Sequence, residues 1–423
     1  MKVKSRKITH EELMASYKPP RKSPPYPWFL FRTLVRLLSI GELRKTKFTY
    51  TKENMKRIPH GPCLFLMNHS SFIDLKIASK VLYPKCYNIV ATSDAMLGKE
   101  WLMRRLGCVA TNKFTPDVPL VLDMMRLAKK RKRSILLYPE AGYSFDGTST
   151  TLPKSLGSLV KKMGVPVVTI ITDGAYLYDP LYNELKKRKV KTSAKVKLAI
   201  TKKDIAEKSA DELQAIIEEI FTFDNFKTQY EKGVLVKEPT RADGLHRVLY
   251  RCPNCNSEGK TVGKGETLTC SECGKVYRLE ENGRMKALQG ETEFEHIPDW
   301  FNWQRECVKQ EILSGEYNLD AEVEIGAIYG YKSFNLLEKG RLTHSNDGFK
   351  LEFYKSEVSL SQSPVYSYSI NADFYWYEGG DVISLGNSDI LYYCFPSGDV
   401  PVAKIRLAAE EIYKLAKVKN KRT

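Results

Sequence analysis

Short apolar runs alternate with segments of helical periodicity between residues 47 and 205. The runs are too short for buried helices and lack helical spacing, so each predicts a buried strand; they read CLFLM, YNIVAT, SILLYPE, PVVTIIT and VKLAI. Helices are predicted over 120–130 and 156–163, and a further helix over 206–220 follows the last run. This alternation predicts an α/β domain in which helices flank a mixed central sheet.

Two of these strands end in polar residues suited to catalysis. Asn68 and His69 follow CLFLM directly, Asp74 comes five residues after the histidine, and Glu140 ends SILLYPE. Ligand sites of α/β proteins lie beyond the carboxyl ends of strands. We therefore expect the two strand ends to assemble one site.

A pairing of His69 with Asp74 requires a turn between them. Within one regular helix the two side chains would point about 140° apart. A strand-to-helix turn instead places the carboxylate on one imidazole nitrogen and leaves the other facing a cleft, as a general base requires. In the alternative interpretation, Asn68, Ser70 and Ser71 cap a helix and the histidine has no role.

The order and spacing of these residues resemble the signatures of the lysophosphatidic acid acyltransferase family of glycerolipid acyltransferases. The first family signature, N-H-x4-D, matches Asn68, His69 and Asp74, and the third, F-P-E-G-T-R, is similar to YPEAGYS at residues 138–144. GCVATNK at 107–113 and GVPVV at 164–168 resemble the second and fourth signatures. The resemblance covers roughly residues 25 to 205.

The resemblance implies an enzyme that moves a fatty acyl group from a thioester donor to the free hydroxyl of a lysophospholipid. Acyl-coenzyme A or acyl carrier protein would supply the thioester, and conversion of lysophosphatidic acid to phosphatidic acid is the first expectation. His69 would act as general base, oriented by Asp74. The residues expected to bind substrate are Asn68, near the oxyanion, and Lys113, Glu140 and Lys154, near the headgroup.

The third signature departs from the family pattern. Ala141, Gly142 and Tyr143 stand where the family has Gly, Thr and Arg. The family arginine is associated with the acceptor phosphate, and a lysine elsewhere does not reproduce its bidentate fork. Thr92-Ser93 also falls where a lysine is common. The acceptor is therefore open to another lysophospholipid or a non-phosphate alcohol.

Four cysteines form two C-x2-C pairs: Cys252, Cys255, Cys270 and Cys273. Their spacing predicts four thiolates around a structural zinc ion in a zinc ribbon, and no ligand position is left open for catalysis. Degenerate or redox-active cysteines are the alternative. A zinc-dependent hydrolase is excluded, because none of the six histidines lies at His-x3-His spacing.

The formal net charge of +17 predicts an anionic partner. Basic residues cluster at 129–133 and 186–191. Together with the ribbon they suggest an alternative function, a nucleic-acid-binding zinc-ribbon protein with a non-catalytic α/β domain. Neither cluster interleaves aromatic residues, so an anionic membrane surface is the favoured partner and nucleic acid the less favoured one.

Residues 27–41, PWFLFRTLVRLLSIG, predict an interfacial helix with Lys18, Arg21 and Lys22 beside it. An ordinary amphipathic helix packed on its own domain is the alternative. No membrane span and no signal peptide are expected, and the cysteines do not form a disulfide framework. These features predict a cytoplasmic protein peripherally associated with the inner face of the membrane.

The last part of the chain predicts several strands followed by one helix, VAKIRLAAEEIYKLAKV. This layout looks like a pleckstrin-homology-like or GRAM-like module and implies an accessory role. The predicted domains are therefore a basic N-terminal segment with the interfacial helix (1–45), an acyltransferase domain (46–245), the zinc ribbon (246–283) and the β-rich module (284–423).

Overall fold

Three β-sheets account for the strands in the described part of the chain. The structure is a computed structural model that describes residues 5–16, 21–331 and 333–420. Lys18, predicted to flank the interfacial helix, lies outside these residues. The first elements of the described residues are strand β1 (Ser5–Lys7), helix α1 (His10–Ala15) and helix α2 (Phe29–Lys45).

The first sheet contains the next seven strands: β2 (Thr49–Glu53), β3 (Leu64–Met67), β4 (Tyr87–Thr92), β5 (Cys108–Thr111), β6 (Ser134–Leu137), β7 (Val167–Asp173) and β8 (Ser193–Ile200). The helices of this region are α3 (Asp74–Leu82), α4 (Glu100–Arg105), α5 (Val118–Met125), α6 (Leu156–Met163), α7 (Ala175–Tyr178), α8 (Lys202–Glu207), α9 (Ala210–Ile220) and α10 (Asn225–Glu231).

The strand order of this sheet is β2-β8-β7-β3-β6-β4-β5. Neighbouring strands are parallel except β7 and β8, so the sheet is mixed, as the sequence predicts. All four residues of β3 are apolar and buried, because this strand lies inside the sheet between layers of helices. Since β3 and β6 are parallel neighbours, the residues that follow them meet at one edge.

The predicted helix over 206–220 is two helices. α8 ends at Glu207, and α9 begins after Ser209, whose hydroxyl accepts the backbone N–H of Glu212. The Glu212 carboxylate in turn accepts the backbone N–H of Ser209. This capping box starts a new helix where periodicity alone suggested continuity.

The second sheet is a small antiparallel meander. It contains β9 (Thr261–Lys264), β10 (Thr267–Cys270), β11 (Val276–Leu279) and β12 (Met285–Ala287), in the order β12-β11-β10-β9. Two cysteines precede β9, and the other two lie at the turn between β10 and β11. Both C-x2-C pairs therefore reach the same end of the meander.

The third sheet follows helix α11 (Ile297–Ser314) and precedes helix α12 (Val402–Asn420). The sheet has the order β16-β15-β14-β13-β19-β18-β17, with β1 alongside β14. Its strands are β13 (Leu319–Ile328), β14 (Phe334–Ser345), β15 (Gly348–Phe353), β16 (Ser359–Gln362), β17 (Asn371–Asp373), β18 (Val382–Gly386) and β19 (Leu391–Pro396). The predicted strands and closing helix are present. The likeness to a pleckstrin-homology or GRAM module stays a prediction.

Strand β1, the first described strand, belongs to this third sheet. The sequence did not predict this pairing. β1 runs parallel to the first residues of β14, with Ser5 opposite Phe334. β15 pairs only with the second half of β14, from Gly340 onward, so an edge is left open that β1 fills. His10 in α1 adds a hydrogen bond of 2.9 Å between its Nε2 and the Tyr392 hydroxyl. The domain boundaries themselves stay a prediction.

Candidate active site

His69 and Asp74 meet at the carboxyl end of β3. The Nδ1 atom of His69 lies 3.1 Å from the Oδ2 atom of Asp74, the first residue of α3. The same oxygen accepts the backbone N–H groups of Ser70, at 2.8 Å, and Ser71, at 3.0 Å. An ionised carboxylate only accepts hydrogen bonds, so Nδ1 carries the proton and Nε2 keeps a lone pair. The loop from 69 to 74 therefore folds around one carboxylate.

The alternative interpretation, in which Asn68, Ser70 and Ser71 cap a helix, is wrong for these three residues, because none of them caps α3. The residue that precedes α3 is Ile73, and it makes no side-chain cap. The Asn68 amide is buried and ties β3 to β7, because its Oδ1 accepts the Thr172 backbone N–H at 2.8 Å and its Nδ2 donates to the Ser70 hydroxyl at 3.1 Å. The loop is held by Asp74 and Asn68.

Two tyrosines enclose the imidazole of His69. The ring centroids of Tyr138 and Tyr143 each lie 4.3 Å from that of His69, with interplanar angles of 31° and 37°. The side chain of His69 is 23% exposed, so the ring is confined and still accessible. The exposed ring of Phe72 lies beside Tyr143. The sequence named both tyrosines as signature positions, and only the structure shows that they stack on the histidine.

Glu140 lies behind this site and is buried. Its Oε2 accepts the backbone N–H of His69 at 2.8 Å, and its Oε1 accepts the backbone N–H and hydroxyl of Thr150 at 3.0 and 3.2 Å. Burial raises the pKa of Glu140 to about 7. Both oxygens are occupied by protein donors, so Glu140 supports the histidine loop; its predicted contact with the headgroup stays a prediction.

The two predicted headgroup lysines lie in different places. Lys113 follows β5, is half-buried and lines a pocket shared with residues of the third sheet. Lys154 precedes α6, is highly exposed and pairs with Glu218 of α9 at 3.2 Å. The structure thus brings Lys113 toward a cleft, whereas the contact of Lys154 is with the outer helices.

Several side chains of the basic clusters contact other parts of the protein. Arg131 and Arg133 donate to the carbonyl oxygens of Pro24 and Pro25, at 2.6 and 3.1 Å. Arg188 is buried and donates to the Tyr182 hydroxyl. Lysines of the second cluster form two ion pairs, Lys186 with Asp243 and Lys187 with Glu42. Lys129, Lys130, Lys132, Lys189 and Lys191 are exposed, so part of each cluster remains on the surface.

The four cysteines form a second candidate site. Their sulfur atoms all lie within 4.8 Å of one another. Cys252 and Cys273 have sulfurs 3.8 Å apart, and Cys255 and Cys270 have sulfurs 3.7 Å apart. Tetrahedral zinc with Zn–S bonds of about 2.3 Å requires sulfurs about 3.8 Å apart. The cluster therefore fits a four-thiolate metal ion.

Helix α2 exposes an apolar stripe. Leu30, Leu34, Leu37 and Leu38 are 69%, 46%, 57% and 72% exposed and share one face. The arginines lie on the opposite face of the helix, toward the protein. Arg32 donates to the carbonyl oxygens of Pro84 and Lys85, just after the cis peptide bond that precedes Pro84. An amphipathic helix packed on its own domain would instead bury its leucines and expose its arginines. No helix in the described part of the chain is long and apolar enough to cross a membrane.

The mixed α/β sheet thus holds a histidine–aspartate pair at a strand end, an arrangement of the kind that general acid–base catalysis uses. Residues 48–173 match the model of the Acyltransferase family. The match covers β3, the histidine loop and the third signature.

Two individual proteins are similar to parts of this chain. The chain is 29% identical over 119 residues to the "1-acyl-sn-glycerol-3-phosphate acyltransferase BAT2, chloroplastic" of Brassica napus; the alignment spans 27% of this chain and 33% of that relative. The "1-acyl-sn-glycerophosphate (LPA) acyltransferase, PlsC" of Thermotoga maritima aligns with a TM-score of 0.36 and 18% identity, over 45% of this chain and 76% of that one. The chain thus covers about a third of the plant relative's length.

Proposed function

We propose that the protein transfers a fatty acyl group from a thioester donor to the free hydroxyl of a lysophospholipid. The observation that carries the proposal is the contact between His69 and Asp74, at 3.1 Å, inside an acyltransferase-family domain. The donor is acyl-coenzyme A or an acyl carrier protein thioester. The name of the plant relative makes lysophosphatidic acid, with phosphatidic acid as product, the first acceptor to test.

The mechanism follows from the protonation state of His69. A lysophospholipid hydroxyl is a weak nucleophile, so Nε2 removes its proton as the oxygen attacks the thioester carbon, while Asp74 stabilises the imidazolium. The tetrahedral intermediate collapses as the C–S bond breaks, and His69 returns the proton to the thiolate. An ester and a free thiol result, and no acyl-enzyme forms. Tyr138 and Tyr143 keep the imidazole in the attacking orientation.

The protein is proposed to act at an anionic membrane on the cytoplasmic side. The α2 stripe places four leucines in solvent, which is favourable once they enter the headgroup region of a bilayer. Phe72 and Trp101 are also exposed, at 58% and 59%, and Phe72 stands beside Tyr143 at the site. A lipid acceptor would then reach the histidine from the bilayer side.

The four cysteines are proposed to hold a structural zinc ion. A bound ion would join the two C-x2-C turns at one end of the small meander. All four ligands come from the protein, so no water is held for catalysis. The ion stabilises the ribbon that connects the acyltransferase domain to α11.

The test is product analysis by mass spectrometry with purified full-length protein. Wild type is incubated with acyl-coenzyme A or acyl carrier thioester and a panel of lysolipids, beside His69→Ala and the exposed-site control His60→Ala. Removal of the base should lower the rate by about 10²–10⁴, and the control should keep it. A diacyl product formed equally by His69→Ala would refute the mechanism. Failure of wild type with every lysolipid would refute the function.

A further inference from the structure

The third sheet and its flanking loops cover the carboxyl edge of the acyltransferase sheet. The Nε1 atom of Trp376 donates to Oδ2 of Asp94, just after β4, at 3.3 Å. The ring of Phe374 stacks on that of Phe145, after the third signature, with centroids 4.2 Å apart. This is the edge where the substrate of an α/β enzyme is expected. The C-terminal module is therefore adjacent to the candidate active site.

A pocket that is open to solvent lies between the two parts. One wall comes from Lys113, Phe114 and Thr115 after β5. The other wall comes from the module, and its polar members are His344, Gln362, Ser363, Tyr366, Ser367, Ser369 and Ser384. No single domain contains this pocket, because each wall is supplied by a different sheet.

The pocket connects with the histidine through two contacts. The ring of Phe114 lies 4.0 Å from the position that a Cβ would take at Gly142, in the third signature. Arg406 of α12 donates to the carbonyl oxygen of Tyr143 at 3.3 Å, and α12 also lines the pocket with Ala409 and Ile412. Tyr143 in turn stacks on His69. The pocket thus borders the loop that encloses the catalytic imidazole.

The charges of this region are unsuited to a dianionic phosphomonoester. Lys113 is half-buried and forms no ion pair with any described residue, so it is available to one negative charge. Tyr143 supplies no guanidinium fork where the family has one. The nearby Asp373 carboxyl has its pKa raised to about 6 by burial, against the effect of Lys113, and it lowers the positive potential around that lysine. A phosphodiester carries one negative charge, so it matches a single lysine beside a carboxyl better than a dianionic phosphomonoester does.

The remaining lining suits a hydroxylated headgroup. Serine and tyrosine hydroxyls both donate and accept, as does a glutamine amide, so they match the hydroxyls of a polyol. Several are already oriented by protein partners; Tyr366, for example, donates to the Gly386 carbonyl oxygen at 2.9 Å. Ser367 is half-buried in the pocket and its hydroxyl is available to a ligand.

We propose that this pocket binds the headgroup of the acceptor and that the headgroup is a polyol joined to the lysolipid through a phosphodiester. Lys113 contacts the phosphodiester, and the serine-lined wall contacts the polyol hydroxyls. The C-terminal module is then part of the acceptor site. The inference rests on the proposed acyl transfer and narrows its acceptor from lysophospholipids in general to this class.

The test measures initial rates of full-length protein with lysophosphatidylglycerol, lysophosphatidylinositol, lysophosphatidic acid and lysophosphatidylethanolamine. Ser367→Leu fills the pocket, Lys113→Gln removes its cation, and Ser361→Leu places the same leucine at an exposed position outside it. For a polyol acceptor, each pocket variant should raise KM by about tenfold, with the KM for the thioester unchanged. Ser361→Leu should behave as wild type.

The outcomes separate the two proposals. If wild type acylates none of the acceptors, the proposed function fails. If wild type is active and prefers lysophosphatidic acid or lysophosphatidylethanolamine, the polyol assignment is overturned. Unchanged acceptor KM in both pocket variants would refute the pocket itself. Since Lys113→Gln is a small change at a half-buried residue, it remains informative if Ser367→Leu lowers the yield of folded protein.

Discussion

The residues around His69 show how one carboxylate organises the loop of the candidate active site. Asp74 receives three N–H donors on a single oxygen, two of them from the backbone. Hydrogen bonds to a charged acceptor contribute about 1.5–3 kcal/mol each, so the loop conformation depends on this side chain. The pairing that a regular helix forbids is achieved because residues 69 to 73 form a turn and α3 begins only at Asp74.

Glu140 predicts a pH dependence of stability. Burial raises its pKa from 4.5 to about 7, so the folded protein holds this proton more tightly than the unfolded chain does. The contribution is fully present below about pH 4.5 and is lost as the pH rises through about 7. Glu140→Gln cannot ionise, so its free energy of unfolding should change less than that of wild type between about pH 5 and about pH 8.

Denaturant unfolding at the two pH values checks this expectation. The matched control is Glu316→Gln, because Glu316 is exposed and its replacement should leave the pH dependence as in wild type. Glu140→Gln should also lower the rate of acyl transfer, since an amide cannot accept from both His69 and Thr150 as the carboxylate does. A pH dependence identical to that of wild type would contradict the role of burial at Glu140.

We expect substitution of Tyr143 to change the acceptor that the enzyme prefers. Tyr143→Arg restores the family guanidinium beside His69, and a charge-assisted hydrogen bond to a phosphomonoester should raise kcat/KM for lysophosphatidic acid about tenfold relative to a polyol phosphodiester. Tyr143→Phe keeps the stacked ring without a charge, so the ratio should stay at the wild-type value. An unchanged ratio in Tyr143→Arg would show that this position does not select the acceptor.

At the scale of single elements, α2 predicts membrane binding. Leu30→Glu and Leu38→Glu place charges on the exposed stripe and should lower the fraction that floats with vesicles containing anionic lipid. Leu313→Glu, on the exposed side of α11, makes the same change away from the stripe and serves as control. Equal flotation of all three variants would mean that α2 does not face the bilayer.

Because the four cysteines of the ribbon are proposed to hold zinc, we expect the stability of the protein to depend on bound metal. Purified protein should contain one zinc per cysteine cluster by elemental analysis, and Cys255→Ser should lower both the zinc content and Tm, because a zinc site of four thiolates contributes directly to folding. Cys86→Ser changes a cysteine outside the cluster and should keep the zinc content. Full zinc content in Cys255→Ser would contradict the proposed ligand set.

At the scale of the whole molecule, the first residues stabilise the last sheet. Leu13 in α1 is 1% exposed, whereas its neighbour Met14 is 51% exposed. Leu13→Ala should therefore lower the free energy of unfolding by about 2–5 kcal/mol, and Met14→Ala should change it little. Thermal or denaturant unfolding measures both. A small effect of Leu13→Ala would mean that the N-terminal contact with the third sheet contributes little to the fold.

In the folded chain, part of the positive charge is used in contacts within the protein. The +17 net charge suggested an exposed basic surface, yet Arg131, Arg133 and Arg188 donate to groups within the protein. A sequence count treats each charge as solvated, whereas the fold uses several of them to attach one segment to another. The anion-binding potential of the two clusters is correspondingly reduced.

The sequence by itself determined the local features of this protein. Apolar runs specified β3, β4, β6 and β7, because a continuous apolar run has few alternatives to a buried strand in an α/β domain. The spacing of Asn68, His69 and Asp74 indicated a catalytic loop, and the four cysteines indicated a metal site. The strand predictions are confirmed because each depends on neighbours in the chain. The catalytic role of the loop and the metal site stay predictions.

Only the tertiary structure decided what lies far apart in sequence. β1 joins β14 across more than three hundred residues, Tyr143 stacks on His69, and the wall opposite Lys113 comes from the C-terminal module. Periodicity and spacing carry no information about such pairings, which depend on open strand edges and on complementary surfaces that exist only once the sheets have formed. The sequence therefore locates the candidate catalytic histidine, and the packing of the sheets determines what surrounds it.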